Sequence, residues 1–155
     1  MFEYPKIETL LNRDPKTFKA QKGQWRMPEF EYLKDNEWLF TEKIDGTNIR
    51  VHWDGEKVMF GGRTDNAQMP TFLMEKLQNL FFPEKFKYFA NKAVPGETPD
   101  ITLYGEGYGA RIQKGGGNYI KDGVDFILFD VRVGLWWLKR VDVEAIASGL
   151  GIRVV

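Results

Sequence analysis

Several residue types and features are missing or scarce in this chain of 155 residues. It has no cysteine, so disulfides and thiolate metal sites are excluded. His52 is the single histidine, which excludes a zinc site built from several histidines. No apolar run approaches the roughly 20 residues that span a bilayer, and the N-terminal residues lack the apolar stretch of a signal peptide. We therefore predict a cytoplasmic protein.

The chain also lacks a net charge, because 22 basic residues balance 22 acidic ones. A nucleic-acid-binding protein usually has a basic excess, so the balance argues against this chain alone gripping a long phosphate backbone. It does not argue against binding a single nucleotide. Hydrophobic residues make up 43% and aromatic residues 15%, which indicates a globular protein. The length predicts one domain over residues 1–155.

The order of predicted elements favours an α+β fold. Alternating and apolar runs predict strands at residues 37–43, 47–53, 57–63, 101–106 and 125–133. Helical spacing and capping signals predict helices near residues 7–11, 70–81, 84–91 and 142–150. The last has Asp142 as its predicted N-cap and ends at Gly149 or Gly151. Asp54-Gly55 predicts a tight hairpin between the strands at residues 47–53 and 57–63. Several strands are joined by turns too short for a parallel crossover, so the sheet is predicted to be mainly antiparallel.

The most informative segment is EKIDGTN at residues 42–48, which follows an apolar run at residues 38–40. Lys43 stands just before an Asp-Gly pair, which favours a tight turn. A lysine fixed at such a turn suits a nucleophile that attacks phosphorus once its amine has lost a proton. On its own, so short a motif more often marks a surface lysine.

Three further motifs follow Lys43 along the chain. They are GGRT with Arg63, YGEGYG with Glu106, and FILFD with Phe129. Phe126 lies on the opposite side of the strand from Phe129 in the odd–even alternation and is predicted to be in the core. The glycines at residues 105–110 also satisfy a loose dinucleotide fingerprint, but that site requires a helix directly afterwards. Residues 111–117 contain three glycines and make a poor helix, which argues against the dinucleotide interpretation.

Taken in order, these motifs resemble the nucleotide-binding motifs of ATP-dependent polynucleotide ligases and mRNA capping enzymes. The Thr-Asn ending at residues 47–48 and the segment IQKG at residues 112–115 most resemble the phage-type RNA ligase 2 family. The resemblance implies a nucleotidyltransferase fold, the ligase adenylation domain, with twisted antiparallel sheets and flanking helices. ATP would lie between the sheets, and Mg²⁺ would be the metal cofactor.

The resemblance also implies roles for individual residues. Lys43 would be the catalytic nucleophile that forms a lysyl-AMP, and Phe129 would stack on the adenine. Glu106 would hold the ribose and contact the metal. The partners would be RNA ends, a 5′-phosphate and a 3′-hydroxyl. The ATP-binding positions implied in this way are Glu42, Ile44, Asn48, Arg63, Glu106 and Phe129.

Two later motifs of that family, Glu-Gly-x-Val and Lys-x-Lys, have no counterpart here, and residues 142–145 do not substitute for them. We therefore expect the N-terminal portion of an adenylation domain, incomplete at its C-terminus. Its activity is expected to be impaired unless a C-terminal fragment or partner chain completes the site. The alternatives are a DNA ligase, a capping guanylyltransferase, or a non-catalytic nucleotide-binding remnant. The resemblance to a phage-type family adds one alternative for the origin of the protein: a phage would encode it, and it would act in the cytoplasm of the host.

Overall fold

The computed structural model describes residues 1–93 and 99–155, and it divides the chain into two compact units. The smaller unit is Pro5–Thr41, and the larger one combines Met1–Tyr4 with Glu42–Val155. The assignment of residues 1–155 to one adenylation domain stays a prediction. The predicted site residues all belong to the larger unit.

The smaller unit is a two-stranded antiparallel ribbon followed by one helical turn. Strand β1 spans Leu11–Arg13, β2 spans Ala20–Trp25, and helix α1 spans Pro28–Tyr32. Asp14 stabilises the turn between the strands, because its carboxylate accepts hydrogen bonds from the Lys16 and Thr17 backbone at 3.0 and 2.7 Å.

Two sequence-based predictions on this stretch are wrong. The predicted helix near residues 7–11 is absent, and β1 begins at Leu11 instead. The predicted strand at residues 37–43 is also absent, and Leu39 and Phe40 are 73% and 87% exposed. A strand requires a hydrogen-bonded neighbour, and within the described ranges none pairs with these residues.

The larger unit contains a six-stranded sheet. Its order is β4-β3-β5-β6-β7 with antiparallel pairing, and β8 adds to β6 in parallel. The strands are β3 Thr47–Trp53, β4 Val58–Gly61, β5 Ile101–Gly109, β6 Val124–Val133, β7 Trp136–Trp137 and β8 Arg153–Val154. The predicted β3–β4 hairpin is confirmed, although β4 is shorter than predicted and β5 runs three residues further.

Helices cover one face of this sheet and enclose the core. They are α2 Thr71–Leu80, α3 Pro83–Ala93 and α4 Arg140–Leu150. Buried side chains of α2 and α4, such as Leu77 and Ile146, join a cluster with Val51, Leu103 and Leu128 of the sheet. No helix in residues 1–93 and 99–155 is long and apolar enough to cross a membrane.

The ends of α4 show which capping predictions succeed. The helix begins at Arg140 with Lys139 as its N-cap, so the prediction of Asp142 as N-cap is wrong. Asp142 lies inside the first turn, where its negative charge is favourable to the helix dipole without serving as a cap. Gly151 ends the helix in the left-handed conformation, at φ 65°, as predicted for one of two candidate glycines.

The other face of the sheet is polar and aromatic. Asn48 lies directly opposite Glu106 on β5, and Arg50 lies opposite Tyr104. Because side chains alternate along strands, these residues share the face that does not meet the core. We call it the polar face. His52 and Thr102 complete it further along, where their side chains approach to 2.9 Å.

Arg50 holds two chain segments at this face although its side chain is fully buried. Its guanidinium donates to the Gly62 carbonyl at 2.7 Å, the Met1 carbonyl at 3.2 Å and the Asp65 carboxylate at 2.8 Å. These bonds fix the loop after β4, which carries Arg63, and the N-terminal residues. The sequence indicates only that Arg50 faces away from the core.

Replacing this guanidinium is expected to destabilise the larger unit. Arg50→Met keeps the bulk but leaves the carbonyls of Gly62 and Met1 without a donor, which costs about 1–3 kcal/mol in the free energy of unfolding. Urea denaturation of Arg50→Met and the wild type measures the change. Lys57→Met, at an exposed position on the same hairpin, is the control. Equal stability of Arg50→Met and the control would contradict this role.

Candidate nucleotide-binding site

The segment before β3 places Lys43 at the surface. Ile44 is buried, at 9% exposure, whereas Lys43 and Asp45 on either side of it are exposed. The apolar side chain therefore anchors the chain and turns its two charged neighbours outward. Ile44 thus fits a structural anchor, and its predicted contact with ATP stays a prediction.

Gly46 brings this segment into close contact with β5. A Cβ at position 46 would overlap the carbonyl oxygen of Gly107 and lie 2.8 Å from the Cγ of Glu106. Only glycine permits this approach without a shift of one backbone. The Gly46 N–H also donates a hydrogen bond to the Glu106 carboxylate. The turn after Lys43 is therefore packed directly against the predicted ribose and metal contact.

Burial and neighbouring charges together shift the pKa of Glu106. Burial raises the pKa of Glu106 from its ordinary value of 4.5 to about 7. The positive charge of Lys43 and the Gly46 N–H oppose this rise, and the negative charge of Asp45 adds to it. The carboxyl group is therefore divided between its two forms near neutral pH. The charge of Lys43 therefore acts on Glu106, and the turn that follows Lys43 lies directly against the Glu106 side chain.

Asn48 completes the same end of the polar face. It is paired with Glu106 across β3 and β5, and its Oδ1 atom is buried with no hydrogen-bond partner among the described residues. A buried acceptor left unpaired costs roughly 1–3 kcal/mol. A ligand that brings a donor or a cation to this atom would remove that cost.

The oxygens at this site fit a magnesium ion held largely by substrate. Mg²⁺ prefers oxygen ligands and is usually bound through one or two carboxylates together with phosphates and waters. Glu106 supplies one carboxylate, and Asn48 supplies the unpaired amide oxygen. Among the residues that the structure describes, no three His, Cys, Asp or Glu side chains form a metal site by themselves. The protein's share of the coordination would therefore be small.

A glycine-rich loop after β5 folds against the turn of Asp45 and Gly46. The Gln113 amide donates to the Gly46 carbonyl at 3.0 Å, and the Asp45 N–H donates to the Tyr119 hydroxyl at 3.3 Å. A Cβ on Gly116 would overlap the Gly109 carbonyl oxygen, which explains a glycine at that position. The sequence predicts a long glycine-rich loop over residues 107–123, but β5 extends to Gly109, so the loop begins after that residue and packs on the site.

Phe129 lies at a break in the pairing of β5 with β6. The register shifts between Tyr104 and Gly105, and Phe129 is left without a partner on β5. Its ring contacts the ring of Tyr4, with centroids 5.0 Å apart and planes at 69°. The Tyr4 hydroxyl bonds to Asp130, and burial is the largest cause of a raised Tyr4 pKa.

The sequence separates the two phenylalanines of β6 correctly. Phe126 is buried in the core, where it meets Phe81 edge-on, whereas Phe129 is half-buried on the polar face. The contact with Tyr4 carries no sequence signal, because it joins residues more than 120 positions apart.

Two predicted ATP contacts lie at the margin of this arrangement. Glu42 precedes Lys43 and is exposed, and Arg63 is exposed just after β4. Arg63 is placed by the loop that Arg50 holds. Their contacts with ATP stay predictions.

A comparison with known protein families identifies the family of this chain. The RNA ligase family matches residues 36–155, which include the turn at Lys43, the polar face and all of β3 to β8. This chain belongs to the RNA ligase family. The matched range includes Lys43, Arg63, Glu106 and Phe129. A comparison with curated protein sequences found no match.

Solved structures with the same fold include variants of the Naegleria gruberi RNA ligase. Three of them are an apo form, a form with ATP and Mn, and a form with AMP and Mn. Their TM-scores are 0.57, 0.58 and 0.57, at sequence identities of 18%, 17% and 18%. Each match covers 73% of this RNA ligase chain and 33% of the solved one. The likeness confirms the predicted α+β nucleotidyltransferase fold.

The raised pKa of Glu106 predicts a pH-dependent stability. The folded state keeps this proton up to about pH 7, whereas the unfolded chain releases it near pH 4.5. Stability therefore falls as the pH rises from about 4.5 to about 7, and Glu106→Gln is expected to remove this contribution. Urea denaturation without nucleotide or metal across this window measures it. Glu75→Gln, at an exposed position on α2, should retain the dependence. The same slope in Glu106→Gln and wild type would refute the assignment.

Proposed function

We propose that this chain is the nucleotide-binding portion of an ATP-dependent RNA ligase. The observation that carries the proposal is the convergence of Lys43, Glu106 and Asn48 at one end of the polar face. An exposed amine, a desolvated carboxyl group and an unpaired acceptor meet there beside a tightly packed glycine turn. Such a set suits covalent capture of a nucleotide better than a structural role, because the last two groups reduce stability when no ligand is present.

In the first proposed step, the deprotonated Lys43 amine attacks the α-phosphorus of ATP. A nitrogen–phosphorus bond forms, the bond from the α-phosphorus to the bridging oxygen breaks, and pyrophosphate leaves. Lys43 then carries AMP. The exposed amine, one residue from the buried anchor Ile44, is free to reach a phosphate while its backbone is held.

The other site residues bind and orient the nucleotide in this proposal. Glu106 accepts a hydrogen bond from a ribose hydroxyl, and the Asn48 Oδ1 atom takes the partner that it lacks. Phe129 stacks on the adenine, which contributes roughly 1–3 kcal/mol. Mg²⁺, held by Glu106 and the phosphates, would neutralise charge during the transfer. Glu42, Ile44 and Arg63 are proposed to contact the ATP from the margin.

The later steps act on RNA. AMP passes from Lys43 to an RNA 5′-phosphate, and a 3′-hydroxyl then displaces AMP and seals the strand. This chain spans 33% of the length of each solved ligase. As part of the proposal, a C-terminal fragment or partner chain contributes to these later steps. A cytoplasmic location and membership of the phage-type RNA ligase 2 branch belong to the same proposal.

A second candidate is a module that binds ATP without chemistry. The zero net charge favours it, because a chain that grips RNA ends gains from a basic surface. The same order of motifs occurs in DNA ligases and capping enzymes, so DNA joining and guanylyl transfer are further alternatives. RNA ligase family membership favours RNA over both of them.

Intact-mass spectrometry after incubation with ATP and Mg²⁺ tests the first step. The wild type is expected to gain the mass of one AMP, and Lys43→Ala is expected to gain nothing, because the nucleophilic amine is gone. Lys57→Ala, an exposed lysine on the neighbouring hairpin, should still form the adduct. An adduct of equal yield in Lys43→Ala would contradict the assignment.

Two further arms separate the alternatives. A folded wild type that binds ATP but stays unmodified, even with a C-terminal fragment of a related ligase, would support the binding module. Where an adduct forms, comparing ATP with GTP and nicked RNA with nicked DNA identifies the substrate. Preference for GTP would indicate a capping-type enzyme, and sealing of DNA nicks alone would indicate a DNA ligase.

A further inference from the structure

We propose that Tyr119 is a positioning residue for Lys43, acting through a hydrogen bond to the turn that follows the lysine. This inference rests on the proposed function. It names a residue outside the four motifs, since Tyr119 lies 74 positions from Asp45 in the chain. Its hydroxyl accepts a hydrogen bond from the Asp45 N–H at 3.3 Å, two residues from the nucleophile.

The turn has three polar backbone contacts, and each goes to a side chain from β5 or from the loop after it. The Asp45 N–H donates to Tyr119, and the Gly46 N–H donates to Glu106. The Gly46 carbonyl accepts from Gln113. Three successive peptide groups are therefore each held by one side chain. The backbone that carries Lys43 is fixed next to Glu106 without any contact to the lysine side chain itself.

Tyr119 is in turn held by the strand that carries Glu106. Its ring meets the ring of Tyr108 edge-on, with centroids 5.8 Å apart and planes at 86°. Tyr108 is buried, and its hydroxyl accepts a hydrogen bond from Arg153 of β8 at 3.0 Å. Tyr108 follows Glu106 by two residues, so both project from the same face of β5. One strand thus supports both the carboxyl group and the clamp on the nucleophile's turn.

The loop backbone directs the Tyr119 side chain toward the turn. Gly116–Asn118 form a short 3-10 helix, and the Tyr119 N–H donates to the Gly116 carbonyl at 3.1 Å. Gly116 packs so tightly on Gly109 that a larger residue would displace the loop. The close packing at Gly116 therefore holds the loop in the position from which Tyr119 reaches Asp45.

Removing the hydroxyl should slow the first step more than it weakens ATP binding. Tyr119→Phe keeps the packing on Tyr108 but frees the Asp45 N–H, so Lys43 samples positions away from the α-phosphorus. Losing one hydrogen bond of ordinary strength corresponds to about a three- to tenfold lower single-turnover rate of lysyl-AMP formation. The ATP concentration that gives half-maximal rate is expected to stay unchanged.

The test measures two quantities on the same proteins. The first is the single-turnover rate of adduct formation as a function of ATP concentration, and the second is amide hydrogen exchange at Asp45. Tyr88→Phe is the matched control, because Tyr88 lies on α3 and is 70% exposed. Tyr119→Phe should lower the rate and speed exchange at Asp45, whereas Tyr88→Phe should change neither.

The outcomes separate this inference from the proposed function. Unchanged exchange at Asp45 in Tyr119→Phe overturns the clamp, and so does faster exchange with an unaltered rate. A raised half-maximal ATP concentration at an unaltered maximal rate makes Tyr119 a binding residue and also overturns it. If the wild type forms no adduct, the proposed function has failed for this chain alone, and the exchange measurement still decides whether the clamp exists.

Discussion

The contact of Gly46 with Glu106 and Gly107 is the constraint on which the rest of the site depends. No side chain fits between the turn and β5, so the two backbones lie as close as glycine allows. Strand β3 begins one residue later, and its register against β5 follows, with Asn48 opposite Glu106. The turn therefore fixes the position of Lys43 and the alignment of the polar face together. A side chain at position 46 would disturb both, because either the strand or the turn would have to move.

The two faces of the sheet have different physical roles. The face under α2 and α4 is filled by apolar side chains and stabilises the larger unit. The polar face contains groups that are costly to bury, and hydrogen bonds or ring contacts with specific partners offset that cost. Arg50 is satisfied by two carbonyls and a carboxylate, and Tyr4 is held among Tyr104, Phe129 and Trp137. At the end next to Lys43, two polar groups are not fully compensated. The Glu106 carboxyl group is desolvated, and the Asn48 Oδ1 atom has no hydrogen-bond partner among the described residues. A site prepared for a ligand has this property, because the ligand supplies what the free protein lacks.

Membership of the RNA ligase family gives a chemical reason for the desolvated carboxyl group and the unpaired acceptor. A carboxyl group whose pKa lies near 7 and an unpaired acceptor reduce stability, and in the proposed function they would bind a ribose and a metal-bound phosphate. The loop after β5 adds a second layer. Its glycines allow Gln113 and Tyr119 to reach the turn from above, while Tyr108 and Arg153 support them from the sheet. In the proposed function, Lys43 is thus positioned through its backbone and keeps a free side chain.

The sequence by itself determined the features that depend on neighbours along the chain. It predicts the β3–β4 hairpin, helix α2, the end of α4 at Gly151, and the division of Phe126 from Phe129 between two faces. It also contains the motifs that resemble those of RNA ligases, in the same order along the chain. The strand predicted at residues 37–43 failed because apolar content alone does not supply a pairing partner. In place of the helix predicted near residues 7–11, the chain enters β1, which pairs with β2. Only the tertiary structure decided that Tyr119 reaches Asp45 and that Tyr4 meets Asp130, across 74 and 126 positions. Such contacts depend on strand register and close backbone packing, which no local pattern encodes.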